Sequence, residues 1–163
     1  GDYQAYQYLL EAIKRDGVPY DLISKSLPTV EGAVNDILSQ IVDFSIVFNM
    51  DGKQIDTHIV YDDDRVWPLE LSSGMERFIS SLAIRIGLMN VSNLPQSNFL
   101  AIDEGWGTMD SENLNSVSQL FQYLKTQFQF TFVVSHIETM REFVDTLLKI
   151  KKVDGCSSVR FSR

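Results

Sequence analysis

Two short apolar runs constrain the fold of this 163-residue chain more than anything else in it: residues 99–102 (Phe-Leu-Ala-Ile) and 130–134 (Phe-Thr-Phe-Val-Val). Each is too short for a buried helix, and each ends in polar residues. That is the pattern of strands covered on both faces. Between them Leu114, Val117, Leu120, Phe121 and Leu124 fall at helical spacing, in a segment expected to begin at Ser111. Upstream, Met75, Phe78, Ile79, Leu82, Ala83, Ile86 and Met89 keep the same period over residues 73–90. The core of the chain therefore reads α-β-α-β, an α/β arrangement with mostly parallel buried strands and flanking helices. In open α/β sheets ligands bind beyond the carboxyl ends of the strands, so the residues after 102 and 134 draw the eye.

The remainder fits around that core. Tyr6, Leu9, Leu10 and Ile13 mark a first helix over residues 1–16, stopping near Asp16-Gly17 with Pro19 beyond. A second helix is expected to open around Pro28-Thr29 and to bury Val30, Val34, Ile37, Leu38 and Ile41. Residues 44–48 and 54–61 form a hairpin by pattern, turned at Asp51-Gly52. Asp62-Asp63-Asp64 lacks the alternating ligands and terminal glutamate of a calcium loop and reads as a solvated turn. Residues 137–144 suggest a short helix. Strands over 147–153 and 158–161, turned at Asp154-Gly155, close the chain. Domain boundaries follow: residues 1–16 as a helix of its own, 17–163 as one α/β unit.

Composition narrows the function. Hydrophobic content of 44% and charged content of 22% are those of a globular domain, and no apolar run approaches the roughly 18 residues of a membrane span. The single cysteine, Cys156, leaves no internal disulfide and fits an intracellular setting. A net charge of −8 weighs against a broad DNA-binding surface, since phosphate neutralisation needs clustered Lys and Arg. The one basic stretch is C-terminal: Lys149, Lys151, Lys152, Arg160 and Arg163 against Asp154. It reads as a charge-protected edge strand or as a partner contact.

Three groups carry candidate chemistry. Asp103-Glu104 ends the first apolar strand; adjacent carboxylates there can divide labour, one holding a metal through water and the other deprotonating an attacking water. Ser72-Ser73-Gly74 opens a helix, whose unpaired N–H groups attract an anion. Ser73-Gly-Met-Glu76 also satisfies the capping-box pattern, so this serine can cap its helix or face a ligand. His136 follows the second apolar strand and can donate a proton to a phosphate. His58, inside the hairpin, has no companion motif. A phosphate-cradling G-x-x-x-x-G-K-[ST] loop begins at none of the nine glycines.

In this order the motifs resemble the C-terminal lobe of an ABC-type ATPase head. Leu71-Ser-Ser-Gly-Met75 looks like the LSGGQ signature, with serine third and methionine last. Phe99-Leu-Ala-Ile-Asp103-Glu104 looks like a Walker B strand, Gly105-Trp-Gly-Thr-Met-Asp110 has the spacing of the D-loop, and Ser135-His136 looks like the H-loop. The first helix and the amphipathic helix to Ile41 are similar to a coiled coil rejoining its head, as in SMC, RecN and SbcC-type proteins. Asp-Glu-Gly-Trp-Gly-Thr-Met-Asp resembles the SbcC branch of double-strand-break repair more than it does SMC proteins.

The resemblance implies a composite ATPase. An N-terminal Walker A lobe of the same protein would grip ATP and Mg²⁺. Asp103 would reach the magnesium through water, Glu104 would activate water, and His136 would contact the terminal phosphate. Ser72, Ser73 and Gly74 would act in trans on ATP held by a second head, with Asp110 in the D-loop between them. Implied partners are the Walker A lobe, the second head, an SbcD-type nuclease and DNA, with no membrane. The alternative is a DNA-organising ATPase of the SMC or RecN type, without a nuclease. The isolated chain is expected to be inactive.

Overall fold

The structure, a computed structural model, describes residues 2–14, 17–51, 54–62, 64–93, 95–108 and 114–162. Helix α1 spans Asp2–Ile13 and helix α2 Val18–Leu38. The expected start of the second helix at Pro28 is replaced by continuous helix, with Pro19 in its first turn and Pro28 inside it. Pro28 withholds the N–H that the carbonyl of Ser24 would accept from. Both residues are exposed, so water can take the freed carbonyl. The buried positions of α2 all lie beyond Pro28, at Val30, Val34, Ile37 and Leu38.

The hairpin forms as its pattern requires, β1 (Ser45–Asp51) with β2 (Gln54–Asp62), paired from Ser45↔Val60 to Asp51↔Gln54. Of its expected turn at Asp51-Gly52, Asp51 ends β1 and Gly52 lies outside the described residues. A third strand, β3 (Arg65–Pro68), pairs antiparallel with β2. It makes Asp62 more than a solvated turn, because the Asp62 carboxylate accepts from Arg65 Nε at 2.8 Å. The free edge of β1 is closed by α2. Asn35 donates to the carbonyl of Ile46 at 2.9 Å and accepts its N–H at 2.8 Å; Glu31 accepts the N–H of Phe48 at 2.7 Å. Side chains thus stand in for a neighbouring strand at Ile46 and Phe48.

A 3₁₀ turn, Leu69–Leu71, leads into α3 (Gly74–Val91), which lies against α2. Their backbones come close where a Cβ on Gly87 would meet Val34 Cγ2 at 2.7 Å, so glycine sets the distance at this crossing. Then follow β4 (Phe99–Asp103), a 3₁₀ turn at Trp106–Thr108, α4 (Leu114–Gln127) and β5 (Phe130–Val134). Strands β4 and β5 pair parallel in register, Phe99↔Phe130 through Asp103↔Val134. The expected helix over 137–144 is a 3₁₀ segment, Glu138–Phe143. Strands β6 (Leu147–Val153) and β7 (Cys156–Ser162) form a closing hairpin, with Asp154 at φ 50° and Gly155 at φ 82° in its two-residue turn.

The core joins the second half of α2, the inner faces of α3 and α4, Ile46 and Ile59 of the first sheet, and Ile102 of β4. The expectation that β4 and β5 are covered on both faces meets a different finding. Phe99, Phe130, Phe132 and Val134 are 44%, 57%, 38% and 42% exposed, and the Phe99 and Phe130 rings stack 5.5 Å apart in the open. Helices cover one face of this parallel pair, and the other stands bare.

Candidate functional site

The parallel register of β4 and β5 brings two of the sequence motifs to one place. Because Asp103 lies opposite Val134, the next residue, Glu104, reaches back across the pair and donates its N–H to the Val134 carbonyl at 3.0 Å. Glu104 does so at φ 60°, a left-handed conformation that costs a non-glycine residue about 1–3 kcal/mol. Gly105 follows at φ 96°. A Cβ there would stand 2.5 Å from Phe78 Cε2, so glycine is required both by the backbone and by the ring above it.

Trp106 then anchors the turn. It is 1% exposed, tilted against Phe78 at 4.7 Å and stacked on Phe121 at 5.3 Å, while Phe121 stacks on Phe143 at 5.8 Å. This aromatic column ties α3, α4 and the last 3₁₀ segment to the end of β4. The sequence motif contained Trp106 without assigning it a task, and Phe78 read only as a core position. Held this way, the strained Glu104 backbone directs its carboxylate into solvent. His136, just past β5, has Nδ1 3.8 Å from Glu104 Oε1, and both side chains are largely exposed. That separation exceeds a hydrogen bond and makes an ion pair only when the histidine is protonated. Asp103 is also exposed. Two acids and a histidine thus face solvent at one sheet end, open to a ligand arriving from outside the lobe.

The helix start is built differently at each serine. Ser72 is buried and its hydroxyl donates to the Leu69 carbonyl at 2.7 Å, so its side chain is engaged with the turn before the helix. Ser73 is the residue that opens α3. Its Oγ accepts the Glu76 N–H at 3.3 Å while Glu76 Oε2 accepts the Ser73 N–H at 2.6 Å, a complete capping box. Both alternatives for Ser73 stay compatible, because the box leaves the N–H groups of Gly74 and Met75 without an acceptor among the described residues. The Met75 side chain packs in the core at 3% exposure, and Glu76 supplies the polar group one position later.

Glu76 also accepts from the Tyr61 hydroxyl of β2, a contact that no motif foretold. Burial, with the hydrogen bond to Glu76 and its charge, pushes the Tyr61 hydroxyl up to about 12. Partial burial pushes the Glu76 carboxyl up, but the bonds from Tyr61 and Ser73 outweigh it and hold the group below its ordinary range. His58 lies on β2 with Nδ1 3.2 Å from Asn49 Nδ2, a structural contact. Asp110, expected in the D-loop, lies outside the described residues.

The donor set fits a magnesium ion only in part. Among the described residues no three His, Cys, Asp or Glu side chains converge as a metal cluster. Mg²⁺ takes six oxygens and commonly keeps waters, with one or two carboxylates plus phosphates. Asp103 and Glu104 suit that minority share, and the chain has no phosphate loop to supply the rest. No helix among the described residues is long and apolar enough to cross a membrane.

No protein-family model matches the chain. It is 35% identical over 94% of its length to uncharacterized protein R555 of Acanthamoeba polyphaga mimivirus, and 28% identical over 73% of its length to the SbcC component of the SbcCD nuclease of Staphylococcus aureus. It spans only 13% and 12% of those two proteins. Among solved structures, one concerned with ATP-driven dimerisation and DNA-stimulated activation of SMC ATPases superposes with a TM-score of 0.70 at 16% identity, covering 88% of this chain and 89% of that one. The SMC head domain from Thermotoga maritima gives 0.61 at 24% identity, over 88% of this chain and 51% of its own. The chain has the α/β fold of an SMC-type head domain.

Proposed function

We propose that this chain is the C-terminal lobe of an SbcC-type ATPase head, which hydrolyses ATP only with a Walker A lobe and a second head and couples that cycle to DNA-end processing by a nuclease partner. The observation that carries the reading is Glu104. A carboxylate held in a strained left-handed turn beside His136, one residue after Asp103, is placed at backbone expense where a core needs nothing. Such strain persists when the surrounding structure enforces it, here through the Val134 carbonyl and the Trp106 column.

Within the head, Asp103 would hold magnesium through water, and the ion would neutralise phosphate charge there. Glu104 would take the proton from the attacking water, and His136 would hydrogen-bond the terminal phosphate. Ser73 and Gly74 present the helix start to ATP on the opposing head, with Ser72 behind them as a brace. ATP with Mg²⁺, when bound, supplies the phosphoryl group and neutralises its charge. The Walker A lobe is the proposed cover for the bare β4–β5 face, where Phe99, Phe130, Phe132 and Val134 form an apolar patch of the kind that marks an interface. The SbcC assignment draws on the similarity to the staphylococcal SbcCD nuclease component. The fold neighbours favour a second reading, an SMC- or RecN-type organiser of DNA with no nuclease. Purification of the native complex separates the two by the presence or absence of a nuclease partner.

The central test is Glu104→Gln in the complete head. The amide keeps the shape and removes the base, so ATP binding should persist, turnover should stop, and engaged head dimers should accumulate. Hydrolysis near the wild-type rate would falsify the assignment of Glu104.

A further inference from the structure

Tyr61 occupies an irregular point of the first sheet. Val60 pairs with Val66 and Asp62 with Arg65, so β2 advances two residues while β3 advances one, and Tyr61 is the extra residue of a β-bulge. Bulges re-aim a side chain out of the ladder. Here the ring lies 5.5 Å from Phe44 and 5.4 Å from Trp67, with the Arg65 guanidinium 5.3 Å from its centroid. Its hydroxyl crosses to α3 and donates to Glu76 Oε1, while Glu76 Oε2 accepts the Ser73 N–H. One carboxylate therefore receives a proton donor from the sheet and another from the residue that opens the helix.

From this geometry we infer that Tyr61 is a positioning residue: through Glu76 it fixes the capping box at Ser73 and so aims the free N–H groups of Gly74 and Met75 at the phosphate of an opposing head. The inference rests on the proposed function and deepens it, because it makes head engagement depend on a sheet that touches no nucleotide. A box held by Ser73 and Glu76 alone leaves Oε1 to solvent and the Glu76 side chain free to change rotamer. Each departure would release the Ser73 N–H, which would then compete with Gly74 and Met75 for the incoming anion and tilt the first turn. The Tyr61 bond removes that freedom.

The experiment uses the complete head, this lobe joined to its Walker A lobe, as wild type, Tyr61→Phe, Glu76→Ala, the double variant and Ser73→Arg. Phenylalanine keeps the ring in its aromatic setting and deletes only the donor. Dimerisation with a slowly hydrolysed ATP analogue is followed against head concentration, and amide exchange at Ser73 is measured in the nucleotide-free protein. In Tyr61→Phe, each head should bind the analogue as wild type does. Dimerisation should need more protein, by up to about tenfold, since no more than the worth of one hydrogen bond to a charged group can pass into engagement, and the Ser73 amide should exchange faster. Turnover should recover as head concentration rises, which a folding defect would not allow. The double variant should match Glu76→Ala alone, because Tyr61 acts through that carboxylate. Tyr61→Phe heads that dimerise at the wild-type concentration, or that leave Ser73 exchange unchanged, overturn the inference. A Ser73→Arg head that still dimerises overturns the trans reading of the helix start instead, so the two failures are distinguishable.

Discussion

Replacing Gly105 by alanine tests whether the turn after β4 is held as tightly as the structure indicates. Two costs add. The backbone at φ 96° lies outside the conformations an L-residue adopts freely, and holding alanine there costs about 1–3 kcal/mol. The new methyl would also stand 2.5 Å from Phe78 Cε2 and 2.7 Å from Cδ2. That ring cannot retreat without disturbing Trp106, whose ring centre is 4.7 Å away, and overpacking of this kind costs about 1–3 kcal/mol. The expected loss is therefore about 2–6 kcal/mol. Urea denaturation followed by tryptophan fluorescence reads it as a lower midpoint at unchanged slope. Phe78→Leu in the same background separates the terms, because removing the ring should return the clash and leave the backbone strain. A loss below about 1 kcal/mol would refute the reasoning, since either term alone exceeds it. So would a double variant no more stable than the two single losses added together.

Other outcomes follow from the same geometry. The chain without a Walker A lobe should bind no ATP at micromolar concentration in calorimetry, because it lacks the lysine and hydroxyl of a phosphate loop. Ser72→Ala should lower stability by about 1 kcal/mol, the worth of a buried hydroxyl bond, and leave ATP-driven dimerisation of the complete head intact; loss of dimerisation would return Ser72 to the nucleotide site. The Tyr61 bond should fade at high pH. Its hydroxyl is held at about 12 against an ordinary 10, so the stabilisation it lends is complete below pH 10 and is lost as pH rises toward 12. Denaturation curves of Tyr61→Phe and wild type should therefore differ at pH 8 and converge toward pH 12, and a constant gap would show that the hydroxyl makes no such bond.

The elements of this fold were legible where periodicity acts alone. Helices α3 and α4 and strands β4 and β5 follow from apolar spacing within a few residues. Pro28 misled because the hydrogen bond that a proline removes is tolerable where water can reach the orphaned carbonyl, and that part of α2 is exposed. Strand β3 was missed because four residues ending in Pro68 carry too little pattern. The bare face of β4–β5 was invisible for another reason. An apolar run reports apolar side chains on both faces of a strand, and cannot report whether the elements around it cover both. At the site, Asp103, Glu104 and His136 could be placed from strand ends alone. The left-handed turn at Glu104 and the reach of Tyr61 could not, since one depends on a carbonyl 30 residues away and the other on a bulge that moves a side chain out of register.

The close crossing at Gly87 and Val34 has a mechanical consequence. With the Val34 side chain seated where Gly87 has none, α2 has little room to slide on α3, and the pair turns as one body. The arm of α2 from Val34 back to Val18 is about 24 Å at 1.5 Å per residue, and Pro28 does not end it. Any rotation of α3 by about ten degrees therefore swings the tip of that arm by about 4 Å, comparable to a side chain's width. A displacement too small to notice at the helix start becomes, at the far end of the lever, a change that a neighbouring helix would feel.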